Sequence, residues 1–181
     1  IAHKIRPGQF VIVRVNEEGE RIPLSVADWD LDTGSITIIF MEVGASTGAL
    51  AELKAGDVIP TCVGPLGNAT EIKKYGTVMC VAGCYGIGSI FPVARELWHA
   101  GNQIIMVFEA RSSYLLYWAD RYVSLGAKIF NITRDGSLGI KGHVPHLTDI
   151  IHSLPSLPDQ IVVNGCTFLM AHTSKVTKNL G

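Results

Sequence analysis

The 181-residue chain is 48% hydrophobic and 17% charged, with a formal net charge of −1. That is enough apolar material for one large domain or two small ones, and too much for a disordered chain. The near-neutral balance excludes nucleic acid or an anionic membrane surface as the main partner.

The start, Ile1-Ala-His-Lys-Ile-Arg6, carries no apolar segment of a secretory signal, and a first residue other than Met is expected of a trimmed chain or a piece of a longer one. Residues up to about 70 read as short strands and turns. Phe10–Val15 is a strand, and Arg21–Ala27 runs extended after the charged turn Glu17-Glu-Gly-Glu20. The β-branched run from Gly34 to Glu42 is the strongest strand in the pattern. Leu50–Leu53 reads as a short helix, Val58–Val63 as a strand and Gly64-Pro-Leu-Gly67 as a turn. Several short strands separated by glycine turns predict a small antiparallel barrel.

Beyond the polar stretch Asn68–Tyr75 the pattern changes. Strands are expected at 77–82, 103–109, 128–133 and 160–164, and helices at 89–100, 114–125, 146–153 and 168–179. Such alternation predicts a parallel sheet with helices on both faces and a ligand at the carboxyl ends of its strands. Two domains follow, a barrel at 1–70 and an α/β nucleotide-binding domain at 71–181.

The segment Thr77–Ala100 carries the clearest chemistry. A Val-rich strand passes through Gly83, Gly86 and Gly88 into a segment with apolar residues at helical spacing. Strand, glycine turn and helix together offer backbone N–H groups to a phosphate, and glycine lets a pyrophosphate approach them. A tight turn packed on a sheet is the plainer reading of the same glycines. The uncharged run Gly76–Ala94 is nearly as long as a membrane span, but its glycines, serine, tyrosine and proline fit a buried strand entering a helix. No span is predicted.

Cys62, Cys80, Cys84 and Cys166 form no C-x-x-C pair and read as reduced, mostly buried thiols of a cytoplasmic protein. His143, His146 and His152 match no zinc spacing and read as exposed histidines. Leu115-Leu-Tyr-Trp118 reads as a buried helix face. Arg111, just after the second strand of the sheet, suits either a 2′-phosphate of NADP or a cap on the sheet edge, so NAD and NADP both stay open.

Arg21-Ile-Pro-Leu-Ser25 resembles the flavin-binding motif of the ferredoxin–NADP reductase superfamily. A guanidinium fork matches two anionic oxygens of a pyrophosphate, and a hydroxyl farther along an extended backbone can reach the flavin ring. A surface arginine beside a barrel turn is the alternative. Val43–Leu50, Leu53–Asp57, Gly64-Pro-Leu-Gly67, Val81–Gly88 with Phe91-Pro92, Asp135–Gly142 and Asn164–Met170 resemble, in order, further segments of one branch. That branch holds the electron-transfer subunits of dihydroorotate dehydrogenase and the small subunits of NADH-dependent ferredoxin–NADP reductases and sulfide dehydrogenases.

The resemblance implies FAD held by Arg21, Pro23, Leu24, Ser25, Gly44, Ser46 and Thr47. It implies NAD or NADP held by Gly83, Gly86, Gly88, Arg111, Gly165 and Cys166. The implied function is a cytoplasmic FAD-dependent electron-transfer subunit, working between NAD(P)H and a larger partner subunit or ferredoxin. The flavin is the redox centre, so no catalytic side chain and no metal ligand is expected. A degenerate structural or regulatory subunit is the alternative. Three positions depart from the pattern: Cys84 replaces a usual glycine, Gly88-Ser89 stands for Ala-Pro, and Cys166 stands for proline. Family members also carry a barrel strand before the equivalent of Ile1 and a [2Fe–2S] tail beyond Gly181. The cluster is therefore expected only in a longer form.

Overall fold

Strand β1, Phe10–Arg14, pairs antiparallel with β2, Ile22–Trp29, through Phe10↔Ser25, Val11↔Leu24, Ile12↔Pro23 and Val13↔Ile22. With β3, Ile36–Ile38, and β4, Thr61–Leu66, they make a four-stranded antiparallel sheet in the order β3-β2-β1-β4. The computed structural model describes residues 1–178. By backbone contacts the chain divides into two units, Ile1–Thr70 and Glu71–Gly181.

In the first unit the alternation of β1 sends Val11 and Val13 inward to meet Ile5 and Val26, with Ile22 and Leu24 packed beside them. Helix α1 runs over Ala45–Glu52, longer than the short helix expected at 50–53. The strand predicted at 34–42 is paired with β2 only over 36–38, with a bulge in β2 between Val26 and Asp28 inside the paired stretch. Gly64-Pro-Leu, expected to turn, instead completes β4. That strand lies at the sheet edge, where a proline without an N–H is tolerated.

The second unit is a parallel sheet of order β8-β7-β6-β5-β9, with β5 at Thr77–Gly83, β6 at Gln103–Ala110, β7 at Lys128–Thr133, β8 at Ile140–Lys141 and β9 at Gln160–Asn164. Every residue of β5 after Thr77 is buried, as a central strand covered on both faces requires. Helix α2, Gly86–His99, places Ile87, Ile90, Phe91, Ala94 and Leu97 on one face of the sheet. Burying each large apolar side chain contributes roughly 1.5–3 kcal/mol. Tyr122 and Leu125 of α3, Ala119–Ser124, and its C-terminal neighbour join the same cluster. On the other face Leu147, Ile150 and Ile151 of α4, Leu147–His152, meet Leu169 of α5, Thr167–Lys178. Residue 179, included in the helix predicted at 168–179, lies outside the described residues.

The helix expected at 114–125 is broken. Leu116 is extended and Trp118 is left-handed, with φ of 60°, so only 119–124 is α-helical after a single 3₁₀ turn at 113–115. Aromatic packing overrides the helical spacing: the Phe91 ring meets Trp118 and Tyr122 edge-on at 5.5 and 5.2 Å. No helix among the described residues is long and apolar enough to cross a membrane.

Candidate functional site

In the first unit Arg21 directly precedes β2, and strand alternation then leaves Arg21, Pro23 and Ser25 exposed on one face. Arg21 makes no ion pair among the described residues. Leu24 points the other way, into the core beside Val11 and Val26, so only its backbone faces the same surface. Gly44 is the residue before α1, and Ser46 and Thr47 lie in that helix's first turn. The Thr47 hydroxyl is already engaged by its own backbone: it accepts the N–H groups of Val43 at 2.9 Å and Gly44 at 3.1 Å. Ser46 Oγ donates to Glu20 Oε2 at 3.5 Å, beside a cleft of about 410 Å³ between α1 and the 15–20 turn. A phosphate at this helix start would therefore meet backbone donors together with one carboxylate.

In the second unit the chain passes from β5 to β6 and β7 on one side, then crosses over to β9 on the other side of β5. The strand order reverses at β5, and the crevice at such a reversal is where open α/β sheets bind ligands. Gly83 ends β5, and Gly165 and Cys166 follow β9, whose Asn164 pairs with Ala82. The two loops pack backbone on backbone. A β-carbon on Gly86 would lie 2.3 Å from the Asn164 carbonyl oxygen, and one on Gly165 would lie 3.3 Å from the Gly83 nitrogen.

Gly86 and Gly88 belong to the first turn of α2 and not to a loop before it, which shifts the expected start of that helix from 89 to 86. The left-handed residue between β5 and α2 is Cys84, with φ of 53°. Burial pushes its thiol pKa up, and the nearby Glu109 carboxylate and Cys166 push the same way. At the helix start the Gly88 N–H donates to the Tyr117 hydroxyl at 2.9 Å, and that hydroxyl reaches the Cys84 carbonyl at 3.1 Å. One of the expected phosphate donors thus already has a partner within the protein. Arg111 is exposed just past β6, in a loop tied by Asp135 and Ser137, where the Ser113 N–H donates to Ser137 Oγ at 2.8 Å.

Sequence reasoning missed Glu109 and Tyr117. Glu109, the next-to-last residue of β6, is almost fully buried, and Arg134 Nε approaches its carboxylate at 3.3 Å and His143 Nδ1 at 3.8 Å. A lone acid near the end of an apolar run, some twenty residues after a glycine turn, is a readable signal for a dinucleotide-type site. Tyr117 gave no such signal, because its role depends on the break before α3. Among the described residues no cluster of three or more His, Cys, Asp or Glu is placed to hold a metal ion.

No family model matches the chain. It is 42% identical over 149 residues to the Thermotoga maritima protein named dihydroorotate dehydrogenase B (NAD(+)), electron transfer subunit homolog, covering 82% of this chain and 52% of that protein. It is 30% identical over 154 residues to the dihydroorotate dehydrogenase B electron transfer subunit of Fusobacterium nucleatum, covering 82% of this chain and 58% of that one. The chain thus spans about half the length of these curated relatives. Among solved structures, one from the NADH-dependent reduced ferredoxin–NADP oxidoreductase superposes with a TM-score of 0.90 at 36% identity, over 98% of this chain and 64% of that one. The Amycolatopsis cytochrome P450 reductase GcoB shares the fold, with a TM-score of 0.78 at 19% identity over 97% of this chain and 57% of that one. With an antiparallel sheet followed by a parallel α/β unit, and with these relatives, the chain belongs to the ferredoxin–NADP reductase superfamily, on the branch of the dihydroorotate dehydrogenase electron-transfer subunits.

Proposed function

We propose that this chain is part of an FAD-dependent electron-transfer subunit that moves electrons between NAD(P)H and a larger partner subunit or a ferredoxin-like carrier. The observation that carries the reading is the exposed face of Arg21, Pro23 and Ser25 on a paired strand, in a chain whose second unit has the strand reversal of a nucleotide-binding sheet. The names borne by its relatives point the same way.

The residues fit a flavin dinucleotide. Arg21 offers a guanidinium to the pyrophosphate, and Ser25 offers a hydroxyl on the same strand face to the ring. The backbone at Gly44–Thr47 offers N–H groups at a helix start. When bound, FAD supplies the redox chemistry, since it can accept a hydride and release single electrons. The chain's own residues then need only to bind and orient, and no acid–base pair is required. Gly83, Gly86 and Gly165 let the backbones after β5 and β9 approach closely at the strand reversal. Arg111, exposed just past β6, is the residue we assign to the adenosine end of NAD or NADP. Four free thiols suit the reducing cytoplasm.

One observation favours the degenerate subunit instead: the Tyr117 hydroxyl sits on the Gly88 N–H that a phosphate would use. A single experiment separates the two. Protein incubated with FAD, desalted and scanned is expected to keep a flavin band that NADH or NADPH bleaches without oxygen. A colourless product sinks the flavin reading and leaves the degenerate one.

A further inference from the structure

Cys84 and Cys166 lie in the loops that follow two neighbouring parallel strands, β5 and β9. Ala82 pairs with Asn164, and each cysteine lies two residues beyond that pair. The strands stay adjacent past the ladder, since a β-carbon on Gly165 would lie 3.4 Å from the Gly83 carbonyl oxygen. Neighbouring strands run about 4.8 Å apart. A disulfide spans a Cα separation of roughly 4.4–6.8 Å, which two loops packed this closely bring within reach.

The two thiols also differ in the way such a pair needs. Cys166 is exposed, whereas Cys84 is half-buried and its pKa is raised by burial and by Glu109 and Cys166. The remaining cysteines are placed otherwise: Cys80 is fully buried in β5, its thiol pKa pushed up to about 12, and Cys62 lies on β4 of the first unit.

We propose that Cys84 and Cys166 are a dithiol that a hydroperoxide converts to a reversible disulfide, tying the loop after β5 to the loop after β9. The exposed Cys166 thiolate attacks the peroxide: an S–O bond forms, the O–O bond breaks, and one oxygen leaves as water or an alcohol. The Cys84 sulfur then attacks the Cys166 sulfur. The S–S bond forms, the S–O bond breaks, and the hydroxyl leaves as water with the Cys84 proton. The two thiols together lose two electrons and the hydroperoxide gains them.

The test uses the full chain carrying Cys62→Ser, treated with stepwise hydrogen peroxide and no dinucleotide, then alkylated and mapped by mass spectrometry. The expected product is lighter by about 2 Da, the two hydrogens lost in forming an S–S bond. Positions 84 and 166 should escape alkylation together, and dithiothreitol should restore both. With Cys84→Ser added, the link should vanish and Cys166 should advance to the sulfinic acid. The proposal is overturned if position 166 is over-oxidised while Cys84 still alkylates, if the link joins two chains, or if neither thiol reacts. Because no dinucleotide is present, failure here leaves the flavin reading untouched.

Discussion

The Gly86 α-carbon faces the Asn164 carbonyl so closely that a β-carbon there would stand 2.3 Å from the oxygen and 3.1 Å from the Gly165 α-carbon. The glycine is thus demanded by the protein's own backbone, before any ligand is considered. Gly86→Ala should push the loops after β5 and β9 apart and destabilise the chain by about 1–3 kcal/mol, the usual range for overpacking. Dinucleotide affinity should fall with it, while flavin content holds. Urea melts at matched pH check this, and an unchanged midpoint with a raised Michaelis constant for NADH would return the demand for glycine to the ligand.

Flavin retention should depend unequally on the two exposed groups of the first unit. A charge-assisted contact to a phosphate contributes on the order of 1.5–3 kcal/mol, against roughly 1 for a neutral hydroxyl. Arg21→Ala should therefore lose bound FAD, whereas Ser25→Ala should keep it and show slower reduction by NADH. Flavin-to-protein absorbance ratios after desalting decide the matter, and equal ratios in wild type and Arg21→Ala would remove Arg21 from the site.

Cys84 has φ of 53°, a region that costs an L-residue about 1–2 kcal/mol and glycine nothing. The family's usual glycine at this place then has a backbone reason independent of any nucleotide. Cys84→Gly should leave the melting temperature unchanged or raise it slightly, because relief of strain is partly offset by glycine's larger entropy when unfolded. Affinity for NADH should not fall. A clear drop in stability would mean that the half-buried thiol supplies packing that its exposure does not suggest.

Much of this was legible in the sequence, and the reason lies in periodicity. The second unit's strand positions stand out because buried parallel strands are nearly continuous apolar runs, and β5, β6, β7 and β9 all fall within a residue of the expected bounds. The first unit was harder. β3 pairs over only three residues, across a bulge in its partner, and β4 incorporates a Gly-Pro that reads as a turn. Exposure of Arg21 and Ser25 on one face followed from alternation alone. The engagement of Thr47 by its own backbone and of Gly88 by Tyr117 depended on contacts with no local signature.

The Asp135 carboxylate is fully exposed, yet hydrogen bonds hold its pKa down from 3.8 to about 2: those from the Ser137 side chain first, then from Ser112 and the Ser137 N–H. A carboxylate lowered in this way contributes stability above the unfolded value of 3.8 and loses it as pH falls through about 2. The loop that carries Arg111 and Ser113 should therefore loosen in that acid window and not near neutrality. Asp135→Asn should weaken the loop at pH 7 and remove its acid-dependent step. Carboxyl titration by NMR, with hydrogen exchange at the Ser113 and Ser137 amides, reads both effects.

Tyr117 offers the sharpest test of what the start of α2 is for. Its hydroxyl accepts the Gly88 N–H at 2.9 Å and lies 3.1 and 3.3 Å from the Cys84 and Tyr85 carbonyls, so it can satisfy a donor and an acceptor at once. Burial raises its pKa, so the hydroxyl keeps its proton and both roles at neutral pH. Tyr117→Phe preserves the ring and deletes the oxygen. The Gly88 N–H is then left in a part-buried place without its partner, which costs about 1–3 kcal/mol. If the helix start holds a pyrophosphate, the freed N–H gains an anionic acceptor when ligand arrives. The variant should then be less stable than wild type alone, yet gain more stability from saturating NADH or ADP-ribose, with a several-fold lower dissociation constant. If the hydroxyl is a purely structural cap, the loss should persist in full with ligand bound and the dissociation constant should rise or stay put. Thermal shift with and without ligand, beside calorimetric titration, distinguishes the two, and the second outcome would move the pyrophosphate away from Gly88.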